Sequence, residues 1–138
     1  MKRHFKSIIL AAALSAFAGA FASAQYLQEV AKVPFSFHAA GKVIPAGKLS
    51  VKEVDAQGLY SLTDSTGNSS FWNAGIKRSA NPAKPHLTFA CYGHECVLAE
   101  VSMPGKNVAS GASQATIDRE LSHNIGVASM ISVPFGTR

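Results

Sequence analysis

The sequence predicts an all-β domain, a small antiparallel β-sandwich or barrel of about seven or eight short strands with one short helix near the C-terminus. Three observations support this fold class. Short segments in which apolar and polar residues alternate recur after residue 24. Turn-forming residues, among them 11 glycines and 6 prolines across the chain, separate these segments. Only residues 114–123 show helical spacing, with Ile117 and Leu121 four positions apart.

Residues 1–24 are predicted to be a signal peptide. A positively charged start precedes an apolar run over Ile8–Ala22, and the small-x-small pattern ending at Ala24 is the pattern that signal peptidase reads. We expect cleavage between Ala24 and Gln25, with cleavage after Ala22 as a nearby alternative. The apolar run of 15 residues is shorter than the ~20 needed to span hydrocarbon, which disfavours a membrane anchor. The prediction is an exported chain, periplasmic or extracellular, with a single β-rich domain over residues 25–138.

Removal of the signal changes the charge of the protein. The whole chain has 13 basic and 8 acidic side chains, and three of the basic ones lie in the signal, which leaves 10 basic against 8 acidic. The one short basic cluster that remains, Lys77-Arg78, is better explained by a solvated loop than by a phosphate site. We therefore expect no nucleic-acid partner. No stretch after residue 24 is long and apolar enough to predict a transmembrane segment.

The N-terminal half is predicted to form short strands between turns. Val33, Phe35 and Phe37 alternate with other residues, which predicts a first strand over 33–38. Proline and glycine then divide the chain, because proline fixes φ and glycine admits positive φ. Further strands are predicted over 43–44, 49–54, 59–63 and 69–76, with turns over 39–42, 45–47, 55–58 and 64–68, and a surface loop over 77–86.

The C-terminal half contains the clearest hairpin. Strands over 86–92 and 95–101 flank Gly93-His94, and glycine at the first loop position suits a two-residue type II′ turn. A loop over 104–111, the helix over 114–123 and a last strand over 125–133 complete the prediction. The predicted core residues are Phe35, Phe37, Leu49, Val51, Leu87, Phe89, Leu98 and Ile131.

The hairpin predicts a disulfide between Cys91 and Cys96. If Tyr92 pairs with Glu95 next to the turn, the two cysteines lie directly opposite each other in a non-hydrogen-bonded pair, where Cα atoms approach to ~4.5 Å. A disulfide needs a Cα separation of ~4.4–6.8 Å, so the bridge fits the hairpin. Because the ring is short, its stabilisation is expected at the low end of ~2–4 kcal/mol.

Three other interpretations of the cysteines stay open at this point. A zinc site made of Cys91, His94 and Cys96 lacks a fourth ligand and has an unusual spacing. A thiol-disulfide catalyst would have C-x-x-C at the start of a helix. Two free buried thiols are the third alternative. In an exported protein a cysteine pair favours the structural disulfide.

The sequence contains no catalytic signature. The segment Gly111–Ala115 is one residue short of the G-x-S-x-G nucleophile motif, and no P-loop, dinucleotide-binding glycine pattern or H-E-x-x-H is present. Trp72 and Tyr92 could form an aromatic platform for a sugar or an apolar ligand. The alternative is that Trp72 or its neighbour Phe71 belongs to the core. We therefore expect no catalytic residue, no metal and no cofactor.

Two stretches resemble a family of small exported β-rich proteins of soil bacteria. The first is Val33–Phe37 followed by Pro45-Ala46-Gly47 before a Leu/Val strand. The second runs from Leu87–Phe89 through Leu98–Val101 to Arg119–Leu121. The resemblance implies an exported β domain and implies no activity. The chain departs from the family pattern at its two cysteines, where polar or aromatic residues are expected, so the disulfide would be a local addition.

The functional hypothesis is an exported, non-enzymatic β domain that binds a partner or serves in the cell envelope. The partner is unknown, with a cell-envelope component or a small ligand as candidates. The first alternative is a barrel that carries a small apolar ligand or a sugar. The second is a small hydrolase or metal-dependent enzyme, which would require His38, His86 and His94 to meet near a carboxylate.

Overall fold

A computed structural model describes residues 27–121 and 128–136, and within these ranges the chain folds into two packed β-sheets with one helix. The fold is a small all-β sandwich, one of the two predicted architectures. The elements are β1 Gln28–Val33, β2 Phe37–Ala39, β3 Lys42–Ile44, β4 Gly47–Glu53, β5 Leu59–Thr63, β6 Ser69–Asn73, β7 Ile76–Ser79, β8 His86–Tyr92, β9 Glu95–Ser102, β10 Val108–Gly111, α1 Gln114–Glu120 and β11 Ser129–Pro134.

Sheet A has the strand order β1-β4-β5-β6 and is antiparallel throughout. Sheet B has the order β11-β8-β9-β10-β7. One edge of β9 is shared by two partners. The β2–β3 hairpin joins it through a parallel pairing of His38 with Val97, and β10 pairs with it at Glu100 and Val101. Strand β9 is therefore the centre of sheet B.

The core fills the space between the sheets, because alternation turns one face of each strand inward. The rings of Phe37 and Phe89 lie 4.9 Å apart between centroids, and the partly buried Phe35 ring lies 5.0 Å from Phe89. Ile131 is 38% exposed, so its prediction as a core residue is wrong. It lies on the edge strand β11, and the pairing with β1 is a single bridge from Ala31 to Phe135, just after the end of β11. Six predicted core residues are buried: Phe37, Leu49, Val51, Leu87, Phe89 and Leu98.

The predicted first strand over 33–38 is wrong in its boundaries. Val33 ends β1 in sheet A, and Phe37 begins β2 in sheet B. Pro34 lies between them, and its missing N–H prevents the ladder of sheet A from continuing. The apolar alternation was nevertheless informative, since Val33 and Phe37 are buried and Phe35 packs against the core.

Two predicted loops contain strands. The segment predicted as one strand over 69–76 ends at Asn73, and the chain crosses at Ala74-Gly75 into sheet B. Strand β7 begins there at Ile76 and continues to Ser79, within the predicted loop 77–86. The predicted loop 104–111 contains β10, which pairs with β7. Both strands are only four residues long, so neither is long enough to show the alternation that identified the others.

The predicted turns and the helix are present. Ala40 and Gly41 both have positive φ in the β2–β3 turn, and Gly93 has φ of 64° as a type II′ turn requires. Helix α1 begins after Ser113, whose hydroxyl accepts from the Thr116 N–H at 3.2 Å, and it ends at Glu120 instead of 123. The start of the predicted last strand, residues 125–127, lies outside the described residues.

The two sheets meet at two corners of the sandwich, and each corner contains a main-chain hydrogen bond. At the closed corner, defined by β1 and β11, Ala31 pairs with Phe135, and the Gly136 N–H donates to the Val30 carbonyl at 2.7 Å. At the polar corner, defined by the β4–β5 turn and strands β7 and β10, the Ala74 N–H donates to the Gly58 carbonyl at 2.9 Å.

Candidate functional site

The polar corner contains a cleft of about 320 Å³ between the two sheets. Met103 and Val108 form its apolar wall. Its polar lining is formed by Glu53, Asp55, Tyr60, Lys77, Lys106 and Ser110. Since every group of this lining can donate or accept hydrogen bonds and four of them carry charge, the cleft is the candidate site.

Alternation along the strands places the polar groups. Glu53 is the last residue of β4 and continues the inward face of Leu49 and Val51. Tyr60 is opposite Glu53 in the register of β4 and β5, so both side chains lie on the same face. Lys77 and Ser110 are likewise directly opposite each other in β7 and β10. The two sheets therefore each contribute one cross-strand pair to the cleft.

A chain of hydrogen bonds crosses the cleft from sheet A to sheet B. The Tyr60 hydroxyl donates to Ser110 Oγ at 3.1 Å, and Lys77 Nζ donates to the same oxygen at 3.0 Å. Tyr60 and Ser110 are only 5% and 4% exposed. A serine hydroxyl has two acceptor positions and one proton. With both acceptor positions used, the Ser110 proton is left to donate into the cleft.

Tyr60 is held in its protonated form. Burial raises the pKa of the Tyr60 phenol above its usual value of 10.0, and the carboxylates of Glu53 and Asp55 act in the same direction. The hydrogen bond with Ser110 and the charge of Lys106 oppose this rise in pKa without cancelling it. The phenol therefore remains a hydrogen-bond donor to Ser110 at any physiological pH.

The carboxylates of the cleft are each held by a separate contact. Glu53 is 7% exposed and pairs with Lys106, whose Nζ lies 3.2 Å from Oε1. A buried carboxylate requires such a partner, because transfer of an unpaired charge out of water is costly. Asp55 Oδ1 accepts from the backbone N–H groups of Gln57 at 2.8 Å and Leu59 at 3.1 Å, which fixes it at the mouth.

Gly58 sets the width of the cleft at the crossover of the chain. Its φ is +107°, and a Cβ built there would overlap the carbonyl oxygen of Ala74. Only glycine allows the β4–β5 turn and the β6–β7 crossover to approach this closely. Lys77 follows directly in β7, so this contact also positions its side chain.

The predicted disulfide is present. Cys91 and Cys96 are opposite each other in the β8–β9 register and are joined by an S–S bond, with their Cα atoms 4.0 Å apart. The bond leaves neither sulfur as a thiolate ligand or a free thiol. Within residues 27–121 and 128–136 no group of three His, Cys, Asp or Glu side chains could hold a metal ion.

The predicted aromatic platform is not formed. Trp72 is 4% exposed in sheet A, with its ring 5.9 Å from that of Tyr60, so it belongs to the core. Tyr92 lies in sheet B, where its hydroxyl accepts from Gln114 Nε2 at 3.3 Å. The aromatic side chain that reaches solvent in β6 is Phe71, which is 68% exposed.

Sequence reasoning missed the polar corner. The Lys77-Arg78 pair was interpreted as a solvated loop, but it lies in β7, with Lys77 in the cleft and Arg78 paired with Glu100 at 3.4 Å. The other cleft residues are far apart in sequence and form no local motif. The predicted cleavage site at Ala24 and Gln25 lies outside the described residues.

In the described part of the chain, no helix is long and apolar enough to cross a membrane. Comparison of the sequence with known proteins found no matching family model, no matching curated protein and no matching solved structure.

Proposed function

We propose that this protein is an exported, non-enzymatic binding domain whose polar corner takes up a small polar molecule. The observation that carries the proposal is the hydrogen-bonded chain Tyr60–Ser110–Lys77, which lines the same cleft as the Glu53–Lys106 ion pair. Export is supported by the signal-like residues 1–24 and by the Cys91–Cys96 disulfide, since disulfides persist in oxidising compartments.

The chemistry of the cleft favours a neutral or zwitterionic ligand. The ammonium groups of Lys77 and Lys106 stand against the carboxylates of Glu53 and Asp55, so the four charges sum to zero. The donor end of the cleft, Lys77 with the Ser110 hydroxyl, suits a carboxylate or a sugar oxygen. The carboxylates suit an ammonium group or sugar hydroxyls. A volume of about 320 Å³ lies at the lower end of the ~300–1,000 Å³ range for small-molecule sites, which favours an amino acid or a monosaccharide.

The packed core supports this site over an apolar carrier. A carrier needs an open lumen between its sheets. Here the inner faces meet in fully buried side chains such as Phe37, Phe89 and Leu98.

A second candidate function is hydrolysis by a serine–lysine pair. The 3.0 Å separation of Lys77 Nζ and Ser110 Oγ is within the reach that a nucleophile and its base require. Against it, Ser110 accepts from Lys77 and Tyr60, whereas a general base has to accept the proton of the nucleophile. Covalent labelling of Ser110 by a fluorophosphonate, detected by mass spectrometry, would establish hydrolysis, and an unlabelled serine would exclude it.

The binding proposal is tested by calorimetric titration with a panel of amino acids and monosaccharides. Ser110→Ala removes the central hydroxyl and is expected to weaken binding about tenfold or more, the effect of one good polar contact. Ser102→Ala is the matched control, because Ser102 is also a buried serine of sheet B but does not line the cleft. Equal affinities of the two variants, or no binding of any panel member at millimolar concentration, would refute the proposal.

A further inference from the structure

The outer face of sheet A carries several lysines that are separated in the sequence and close together in the fold. Because strand residues alternate between faces, the positions on β1, β4, β5 and β6 that do not enter the core point to solvent. Three of them are lysines, and all three are exposed. We call this surface the lysine face and define it by Lys32, Lys48, Lys52, Ser50, Ser61 and Phe71.

Two of these lysines are directly opposite each other. Lys32 of β1 and Lys48 of β4 are paired in register, and like charges in opposed positions destabilise a sheet. Lys52 lies further along β4, between Gln28 and Ser61. None of the outward positions of these four strands, all of which lie in the described ranges, carries a carboxylate. The acidic residue of β1, Glu29, is paired with the inward-facing Val51, but it is only half-buried and lines the groove next to Lys32 and Lys48.

Hydroxyl groups and one aromatic ring complete the face. Ser50 accepts from Gln28 Nε2 at 2.9 Å, and Thr63 shares a hydrogen bond of 2.8 Å with Ser69 in the neighbouring strands. Ser61 is paired in register with Phe71, which is 68% exposed on the edge strand β6. The face thus combines three ammonium groups, a row of hydroxyls and an exposed ring.

The lysine face also continues into a groove. Lys32 and Lys48, with the half-buried Glu29, line a depression of about 500 Å³ that extends to Val133 and Pro134 at the closed corner, so two ammonium groups face one carboxylate there. An extended ligand could therefore follow the register line of β1 and β4 past the edge of sheet A. A site that runs from the lysine face to the closed corner suits a polymer better than a small molecule.

We propose that the lysine face binds an acidic polysaccharide. The carboxylates of its uronic acid units would neutralise the opposed ammonium groups of Lys32 and Lys48 and that of Lys52. The hydroxyls of the face would bond sugar hydroxyls, and Phe71 would contact the C–H face of a sugar ring. Single-stranded nucleic acid is disfavoured, because stacking of successive bases uses several aromatic side chains. A membrane surface is disfavoured because stable association needs a larger apolar area than one exposed phenylalanine.

The test measures binding of the purified protein to immobilised polygalacturonate, with dextran as the neutral polymer, by biolayer interferometry at low and high salt. We expect binding to polygalacturonate, weakening as salt rises, and none to dextran. The triple variant K32Q/K48Q/K52Q should lose about tenfold or more in affinity and should show a shallower dependence on salt. Phe71→Ser should weaken binding and leave the dependence on salt unchanged.

The matched control is K42Q/K84Q/R119Q, which removes the same charge from exposed residues outside the face. It should keep the parent affinity within about twofold. An equal loss in both triple variants would mean non-specific attraction by net charge and would overturn the proposal. Failure to bind polygalacturonate at low salt would overturn it too. Binding of a deoxythymidine oligonucleotide or of phosphatidylglycerol vesicles as tightly as polygalacturonate would reassign the face to nucleic acid or to membrane. Circular dichroism of each variant verifies that it folds.

Discussion

The closed corner and the polar corner join the same two sheets with different groups. At the closed corner the contact is made by the main chain, through the Ala31–Phe135 bridge and the hydrogen bond from Gly136 to Val30. At the polar corner the contact is made largely by side chains that cross between the sheets, such as Tyr60 and Ser110. Main-chain hydrogen bonds can form between strand edges of almost any sequence, whereas side-chain hydrogen bonds require particular residue types at particular positions. The polar corner is thus the place where this sandwich keeps groups able to recognise a ligand.

The charge of the two corners differs as well. The polar corner encloses equal numbers of ammonium and carboxylate groups, which neutralise one another within the cleft. The closed corner presents Lys32 and Lys48 side by side on an exposed face, and the groove that these two lysines line contains one carboxylate, Glu29. A small neutral or zwitterionic ligand suits the first arrangement, and an extended anion suits the second.

The largest expected effect comes from widening the contact at the polar corner. Gly58→Ala places a Cβ against the Ala74 carbonyl oxygen at a φ that L residues rarely adopt, and should lower the free energy of unfolding by about 3–5 kcal/mol. Gly67→Ala has a similar positive φ with open space around it and should cost only about 1–2 kcal/mol. Urea denaturation of both variants measures the difference, and equal losses would mean that the close approach at Gly58 is not needed.

The next largest effect is a difference in stability between alanine variants of two buried serines, Ser110 and Ser102. Ser110→Ala leaves the Tyr60 hydroxyl without its acceptor and should destabilise the protein by about 1–3 kcal/mol. Ser102 Oγ has no hydrogen-bond partner among the described residues, so Ser102→Ala removes an unpaired polar group and should leave the free energy of unfolding unchanged or raise it by up to about 1 kcal/mol. Thermal unfolding compares the pair, and destabilisation by Ser102→Ala would show that this hydroxyl has a partner.

A smaller effect follows from the raised pKa of Tyr60. Because burial raises its pKa in the folded state, the stabilisation linked to its proton is fully present below the unfolded pKa of about 10 and is lost as pH rises through the folded pKa. Unfolding measured from pH 8 upward should therefore show a decline above pH 10 that is weaker in Tyr60→Phe. The matched control, Tyr92→Phe, should keep the decline. A decline of the same size in Tyr60→Phe and the parent protein would contradict the burial of this phenol.

The smallest expected effect is at the closed corner, where a substitution should raise the free energy of unfolding instead of lowering it. Lys48→Gln removes the like charge opposite Lys32 and should stabilise the protein by about 0.2–1 kcal/mol at low salt. The gain should shrink as salt screens the pair. Lys84→Gln in the exposed loop before β8 is the control and should have no such gain. A loss of stability in Lys48→Gln would indicate that the lysine makes a favourable contact.

The sequence predicted those parts of the fold in which local patterns and tertiary contacts agree. The β8–β9 hairpin is one of them, because Gly93-His94 sets the register that brings Cys91 opposite Cys96. Pro34 is the counterexample. The alternation of Val33, Phe35 and Phe37 indicated correctly which side chains face the core, yet it concealed that the chain changes sheets between them.

The candidate site could not be predicted in the same way. Glu53 and Tyr60 meet Lys77 and Ser110 only because two sheets come together, and no spacing in the sequence reports that contact. The sequence predicts loops for the segments containing Lys77 and Ser110, because strands of four residues are too short to show the apolar period that identifies a strand. Lys77 and Ser110 come close together only because β7 and β10 pair in the folded protein.

The partners of β9 have a consequence for the order of folding. Strand β2, near the start of the domain, has to wait for Val97 before it can join sheet B, and β1 meets its last neighbour only at Phe135. Contacts between residues so distant in sequence make folding slow, because a long loop has to close before any contact stabilises it. A chain that has been made only as far as residue 94 therefore lacks β9, the centre of sheet B, and also lacks β11 at the edge of the sandwich. A polypeptide with this topology therefore stays unfolded, and able to pass through a narrow channel, until the segment around Phe135 is available.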